Sequence, residues 1–290
     1  MTHNLKLMTH FSLYTEESGT GFPLLCLHGH PGSARSMGIF AARLNSRFRV
    51  ISPDLRGYGK SQTKERFEIT QHIEDLIALL DQRGIDRTLV LGWSLGGIFA
   101  IELALRYPDR VSGLILVATA ARPWGNHPKI SFTDNLFTGL AGIINILRPG
   151  WQWNIDQLGS RSLFRYLVRQ QTPAVYTYLA REAVYAYFKT SRQADRALSR
   201  AIKSGYNRVP DLPKLTCPAL MLIGEFDRHI APAASLETAK AILGCEWSMF
   251  DAAHLIPWEC PEELLERIEQ WLAGHPEVSR SDSGETLHKQ

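Results

Sequence analysis

Thr88-Leu-Val-Leu-Gly-Trp-Ser-Leu-Gly-Gly97 is the stretch on which the fold turns. The apolar run from Thr88 to Gly92 stops at glycine, passes through Trp93 and Ser94, and gives way to a helix-compatible segment from Gly96 to Tyr107. Tyr107-Pro108 closes that helix, because the residue before proline disfavours helical geometry. A short, uninterrupted apolar run is the signature of a strand covered on both faces. A serine in a tight strand-to-helix turn needs neighbours without side chains, since the turn strains the backbone and brings the flanking segments close together. The Gly-x-Ser-x-Gly pattern supplies them and leaves Ser94 exposed above the strand end. The pattern alone is only moderately specific, and its position between strand and helix carries the reading.

Working outward, four more buried-strand runs appear: Pro23 to His28, Arg49 to Ser52, Gly113 to Ala118 and Ala219 to Gly224. Between Ile69 and Arg83, residues Ile73, Leu76, Ile77 and Leu80 line one face of a helix. Strands alternating with helices predict an α/β fold with a doubly wound, mostly parallel sheet.

A serine hydroxyl is a weak nucleophile near neutral pH. It needs a base within hydrogen-bond reach, oriented in turn by a third group. After a serine in such a turn, the acid and then the histidine are expected in chain order. Asp227, in Gly224-Glu-Phe-Asp-Arg-His229, follows the fifth buried run; His254, in Asp251-Ala-Ala-His-Leu255, follows the strand-like Glu246 to Phe250. Both lie in loops at strand ends, where open α/β sheets hold their ligands. Glu225 and Asp251 are the rival acids, read as a strand end and a turn, and His229 is read as a loop residue.

His28-Gly-His-Pro-Gly32 follows the first buried run. Its glycines let the backbone fold toward Ser94, so the backbone N–H groups of His30 and Leu95 are the expected oxyanion donors. His28 is read as structural, and the His30 ring either lines the pocket or faces solvent. Trp93 is a candidate substrate contact, with core packing the plainer reading.

From Arg122 to Pro210 the alternation stops. This segment has 13 Lys and Arg against 4 Asp and Glu, a balance of +9 within a chain of net +3, which leaves −6 for the remainder. It also holds 13 of the 28 aromatic residues. The expected organisation is therefore a core of residues 1–121 and 211–274, an inserted helical lid at 122–210, and a disordered polar tail at 275–290.

The chain resembles the α/β-hydrolase superfamily, up to about Ala273. The resemblance rests on four landmarks in order: His28 to Gly32, Asp54-Leu-Arg-Gly-Tyr-Gly-Lys-Ser61, the turn at Ser94, and the Asp227 and His254 loops. Epoxide hydrolases and haloalkane dehalogenases share the Asp54 to Ser61 element but carry aspartate where this chain has Ser94, which argues against both activities. The element itself is read as a brace for the catalytic face. The resemblance implies a serine hydrolase that cleaves a carboxylic ester or related acyl substrate through an acyl-enzyme. It leaves open a carbon–carbon bond hydrolase or a lyase of the menaquinone and phylloquinone type acting on an anionic substrate, a cofactor-free haloperoxidase, and a non-catalytic receptor.

The lid allows three readings: a solvated helical face over an aromatic interior, a surface lying on anionic lipid, or an anionic pocket. In the last, some of Arg122, Arg148, Arg161, Arg165 and Arg169 hold the substrate, Arg122 being the best placed after the fourth buried run. No metal or other cofactor is expected, since neither a P-loop nor a GxGxxG is present and Cys26, Cys217, Cys245 and Cys260 lack metal or disulfide spacing. Basic residues with aromatics, without a recognisable module, do not argue for nucleic acid. The composition, with 44% hydrophobic and 21% charged residues, is that of a globular protein. No apolar run approaches the ~20 residues of a membrane helix, and no leader pattern precedes the first strand, so a cytoplasmic protein is expected. Oligomeric state is not legible.

Overall fold

The continuous apolar runs pair side by side at the centre of a seven-stranded sheet. The computed structural model describes residues 11–280. The strands are β1 (Thr15–Ser18), β2 (Phe22–Leu27), β3 (Phe48–Pro53), β4 (Thr88–Trp93), β5 (Val111–Val117), β6 (Ala219–Gly224) and β7 (Glu246–Phe250). They lie in the order β1-β3-β2-β4-β5-β6-β7. Among the described residues only β1 is antiparallel to its neighbour, and every other pairing is parallel. β4, β5 and β6 are buried at every position, which explains their unbroken apolar sequence. β1, Thr-Glu-Glu-Ser, has no such signature, because an edge strand needs only backbone pairing with β3.

Helices α1 (Gly38–Leu44), α2 (Gln71–Gln82) and α3 (Leu95–Arg106) occupy the first half of the chain. Between β5 and β6 come α4 (Phe132–Leu147), α5 (Gln152–Gln157), α6 (Phe164–Leu167), α7 (Pro173–Tyr178), α8 (Val184–Phe188) and α9 (Arg192–Lys203). α10 (Pro232–Ala241), α11 (Ile256–Glu259) and α12 (Pro261–Gly274) follow β6. Alternate strand residues feed two cores. Leu25, Leu27 and Val90 face α2 and α3, while Leu24, Cys26, Leu89 and Leu91 face α1 and α12. Helices thus cover both faces of the sheet, as the alternation predicts.

The helical segment after β5 leaves and rejoins the core at one place, where the Arg208 N–H donates to the Ala121 carbonyl at 2.8 Å. Part of its apolar surface is shared with the two cores of the sheet. Ala194 and Ala197 of α9 pack into the α2/α3 core, and Val175 and Tyr178 of α7 pack with Trp93 and α12. The disordered tail expected from His275 is corrected in its first residues. Pro276–Ser279 forms a 3-10 turn with Val278 fully buried, and the Ser112 hydroxyl donates to the Val278 carbonyl at 2.6 Å. Residues 281–290 lie outside the described residues. Among the described residues no helix is long and apolar enough to cross a membrane.

Candidate active site

Ser94 ends β4 in a conformation that side chains rarely adopt, φ 53° and ψ −118°, immediately before α3 begins. The strain is held by close packing on either side. A Cβ at Gly92 would strike the Gly96 carbonyl, and one at Gly96 would strike the Leu27 carbonyl. The turn is therefore possible only with glycine at both places. The Ser94 N–H donates to the Val117 carbonyl at 2.8 Å, and the Thr119 hydroxyl donates to the Ser94 carbonyl at 2.7 Å, so the end of β5 and the loop after it hold the elbow from both sides.

The loops after β6 and β7 bring Asp227 and His254 to it. His254 Nε2 lies 3.0 Å from Ser94 Oγ, and His254 Nδ1 lies 2.7 Å from Asp227 Oδ2. Asp227 is acceptor-only when ionised, so Nδ1 carries the proton and Nε2 turns its lone pair toward the serine. The second Asp227 oxygen accepts from the backbone N–H groups of His229 and Ile230 at 2.8 and 2.9 Å. All three side chains are buried. Neither rival acid shares this position: Glu225 is exposed, and exposed Asp251 pairs with Arg169 at 3.4 Å.

The backbone of the histidine loop is tied down by Glu259, which the sequence reading passed over. Its buried carboxylate accepts from the N–H of Ala253 at 3.0 Å, and from Arg169 and Gln170 of the insert at 2.6 and 2.8 Å. Burial raises its pKa above the ordinary carboxylate value, against the pull of those N–H donors. No sequence pattern marks this residue, because its partners are backbone groups brought in from two other loops. The His229 ring, read as an ordinary loop side chain, packs edge-on to His254 with centroids 4.7 Å apart, and His127 Nε2 reaches its Nδ1 at 3.4 Å.

Leu95 opens α3, where a backbone N–H has no intrahelical partner and can face a developing negative charge. His30 sits in the loop after β2. Its ring is tied off, Nδ1 to the Tyr58 hydroxyl at 3.0 Å and Nε2 to Asp195 of α9 at 3.5 Å. With Pro31, it borders a cleft of about 560 Å³ walled by Tyr187, Phe188, Arg192 and Asp195 of the insert. His28 is fully buried: Nδ1 donates to the Gly29 carbonyl at 2.8 Å, and Nε2 accepts from Leu55 N–H at 3.1 Å. Burial lowers its pKa to about 4, so it stays neutral as a structural link. Asp54 braces the same face by accepting from the N–H groups of Ala34 and Lys60, both at 2.6 Å.

Two expected substrate contacts are corrected. Trp93 is buried beneath the histidine loop, its Nε1–H donating to the His254 carbonyl at 3.3 Å and its ring packed on Trp258. Side chains alternate along a strand, so the residue before an upward-facing serine enters the core. Arg122 turns to the surface and pairs with Glu237 of α10 at 2.6 Å, because that carboxylate offers a partner in reach. The other arginines of the anionic-pocket reading are likewise engaged elsewhere. Arg165 pairs with Asp134 and Arg169 with Asp251, while Arg148 and Arg161 stack over Trp151 and Phe137. Among the described residues no cluster of three or more His, Cys, Asp or Glu side chains could hold a metal ion. Cys217 is pushed up by burial to about 11, and Cys245 and Cys260 to about 12, so none offers a thiolate near neutral pH.

Residues 23–261 match the family model of the alpha/beta hydrolase fold. A pimeloyl-[acyl-carrier protein] methyl ester esterase of Vibrio campbellii is 38% identical over 136 residues, 43% of this chain and 51% of that protein. The chain spans 41% to 57% of the length of four pimeloyl esterases that it matches. A 2-hydroxymuconate semialdehyde hydrolase of Pseudomonas putida is 27% identical, with 89% of each chain aligned. The solved structure of a thermophilic esterase from Thermogutta terrifontis superimposes with a TM-score of 0.68 at 28% identity, covering 92% of this chain and 94% of that one.

Proposed function

This chain belongs to the α/β-hydrolase family, and from that premise we propose that it is a serine hydrolase that cleaves a carboxylic ester through an acyl-enzyme. The observation that carries the reading is the unbroken Asp227–His254–Ser94 hydrogen-bond chain, ending on a serine held at positive φ. Likeness to proteins named as esterases supports it.

His254 Nε2 takes the Ser94 hydroxyl proton as Oγ attacks the ester carbonyl carbon. Charge moves to the carbonyl oxygen, where the N–H groups of Leu95 and His30 receive it; such preorganised donors are the largest single contribution in sites of this kind. The imidazolium is stabilised by the buried Asp227 carboxylate, which accepts its Nδ1–H. His254 then gives its proton to the departing alkoxide. Water, deprotonated by the same nitrogen, attacks the acyl-enzyme, and the acid leaves with Ser94 restored. The cleft beside His30 and Pro31 is the proposed approach for the substrate, with the insert serving as lid.

Carbon–carbon bond hydrolysis is the second reading, favoured by the nearly end-to-end likeness to the 2-hydroxymuconate semialdehyde hydrolase. The arginines of the insert weigh against it, since those considered for an anionic substrate are paired or stacked elsewhere. Hydrolysis of p-nitrophenyl esters of increasing acyl length separates the two. The parent protein is expected to turn over some of them, and Ser94→Ala to lose about 10³-fold or more in kcat without losing its fold. A folded parent that hydrolyses none of them overturns the esterase reading and moves carbon–carbon cleavage ahead.

A further inference from the structure

Helix α4 is built inside out. At 3.6 residues per turn, Phe132, Leu136, Leu140, Ile143, Ile146 and Leu147 fall on one face about 120° wide. All six are exposed, Phe132 at 81%, Ile143 at 61% and Leu147 at 80%. Asp134, Thr138 and Asn145 point inward instead. Asp134 accepts from Arg165 at 2.6 Å and from the Ser131 N–H at 2.8 Å. Asn145 donates to the Tyr176 carbonyl at 2.6 Å and accepts from the Gly150 N–H at 3.0 Å. The Thr138 hydroxyl accepts from the Leu163 N–H at 2.9 Å. Turning the helix over to hide its apolar face would part Asp134 from Arg165, Thr138 from Leu163 and Asn145 from Tyr176, so the outward apolar face is enforced by hydrogen bonding. A contiguous apolar face of this kind on a folded chain marks an interaction surface.

The surroundings of the face select its occupant. Lys129 precedes the helix, Arg148 follows it, and Arg161 lies over Phe137 on its flank; all three are exposed, and none has an ion pair among the described residues. Arg148 stacks over Trp151, which stacks on half-exposed Trp153 with centroids 5.0 Å apart. The outward face carries no acidic side chain. We infer that α4 lies in the headgroup region of an anionic lipid bilayer, with its apolar face at the acyl boundary and Lys129, Arg148 and Arg161 on lipid phosphates. The helix is about 24 Å long, short of the hydrocarbon thickness, and its inner face is bound to protein, so it lies along the surface. A second copy fits less well. A two-fold contact through this face would set the same cations of two chains against each other, whereas an anionic surface complements them.

Co-sedimentation of the full chain with vesicles of equimolar phosphatidylglycerol and phosphatidylcholine, against vesicles of phosphatidylcholine alone, tests this independently of any hydrolysis. The expected result is salt-sensitive binding to the anionic vesicles. Leu136→Glu or Ile143→Glu should weaken it by about tenfold or more. Arg148→Glu combined with Arg161→Glu should weaken it at low salt. Circular dichroism and the thermal midpoint, unchanged in each variant, show that the fold is kept. No binding to the anionic vesicles, or binding that Ile143→Glu leaves intact, overturns the inference. So does a dimer in sedimentation velocity that Ile143→Glu dissociates, which would assign the face to a second copy.

Discussion

Helices α3 and α4 are both rich in apolar residues, and they end in opposite environments. α3 is buried at every position from Leu95 to Ala104, in contact with the sheet and with α2. α4 buries Asp134, Ala141 and Asn145, and turns Phe132, Ile143 and Leu147 outward. Apolar content drives burial only when the polar groups of the same helix have nowhere better to go. In α3 the one acidic residue, Glu102, reaches Arg208 and Arg106 at its flank, so the rest can sink into the core. In α4 the polar residues found partners on the protein side, and the apolar residues took what was left.

The comparison can be broken most sharply at Gly96. A methyl group there meets the backbone carbonyls of Leu27 and His28, which cannot yield, so Gly96→Ala should cost about 3 kcal/mol in denaturant unfolding and lower hydrolysis by shifting the Leu95 N–H. An effect near zero would mean that the elbow is looser than its packing implies.

Next in size is a pH effect on the α3 side. His72 of α2 is buried against Phe99, and burial lowers its pKa from 6.5 to about 3. Between those values the unfolded chain takes up a proton that the folded chain refuses. The stability His72 lends is therefore complete above pH 6.5 and lost as pH falls toward 3. At about pH 4.5 the loss should be about 2–3 kcal/mol, and unfolding of His72→Phe at pH 7.5 and about pH 4.5 should show a flatter dependence than the parent.

On the α4 side, Asn145→Ala removes the bonds to Tyr176 and Gly150 from a buried position and should destabilise by about 1–2 kcal/mol. Smallest is Gly139→Ala. A Cβ at Gly139 meets nothing within 4 Å, so relief of glycine's helix penalty should raise stability by about 0.5–1 kcal/mol. The same substitution thus carries opposite signs in the two helices, and thermal melts of both variants would expose a mistaken orientation of α4.

Much of the core was legible because its signals are local. A strand covered on both faces must be apolar throughout, and β2, β4, β5 and β6 read as such from sequence. Ser94 announces itself through glycines that only a tight turn requires. Asp227 and His254 were legible one step less directly, from loops that follow strands in a fixed order. Glu259 and the ring of His229 were not, since each matters through atoms contributed by distant loops. Arg122 was misplaced for the same reason: its position after β5 is written in the chain, but the Glu237 that draws it to the surface is not.

The sequence by itself determined the parallel sheet, the elbow at Ser94 and the residues gathered there, because periodicity and turn chemistry act over a few residues at a time. Only the tertiary structure decided that Trp93 enters the core, that Glu259 ties the histidine loop to the insert, and that α4 faces outward. Those outcomes depend on which polar groups, far apart in the chain, arrive within hydrogen-bond reach of one another.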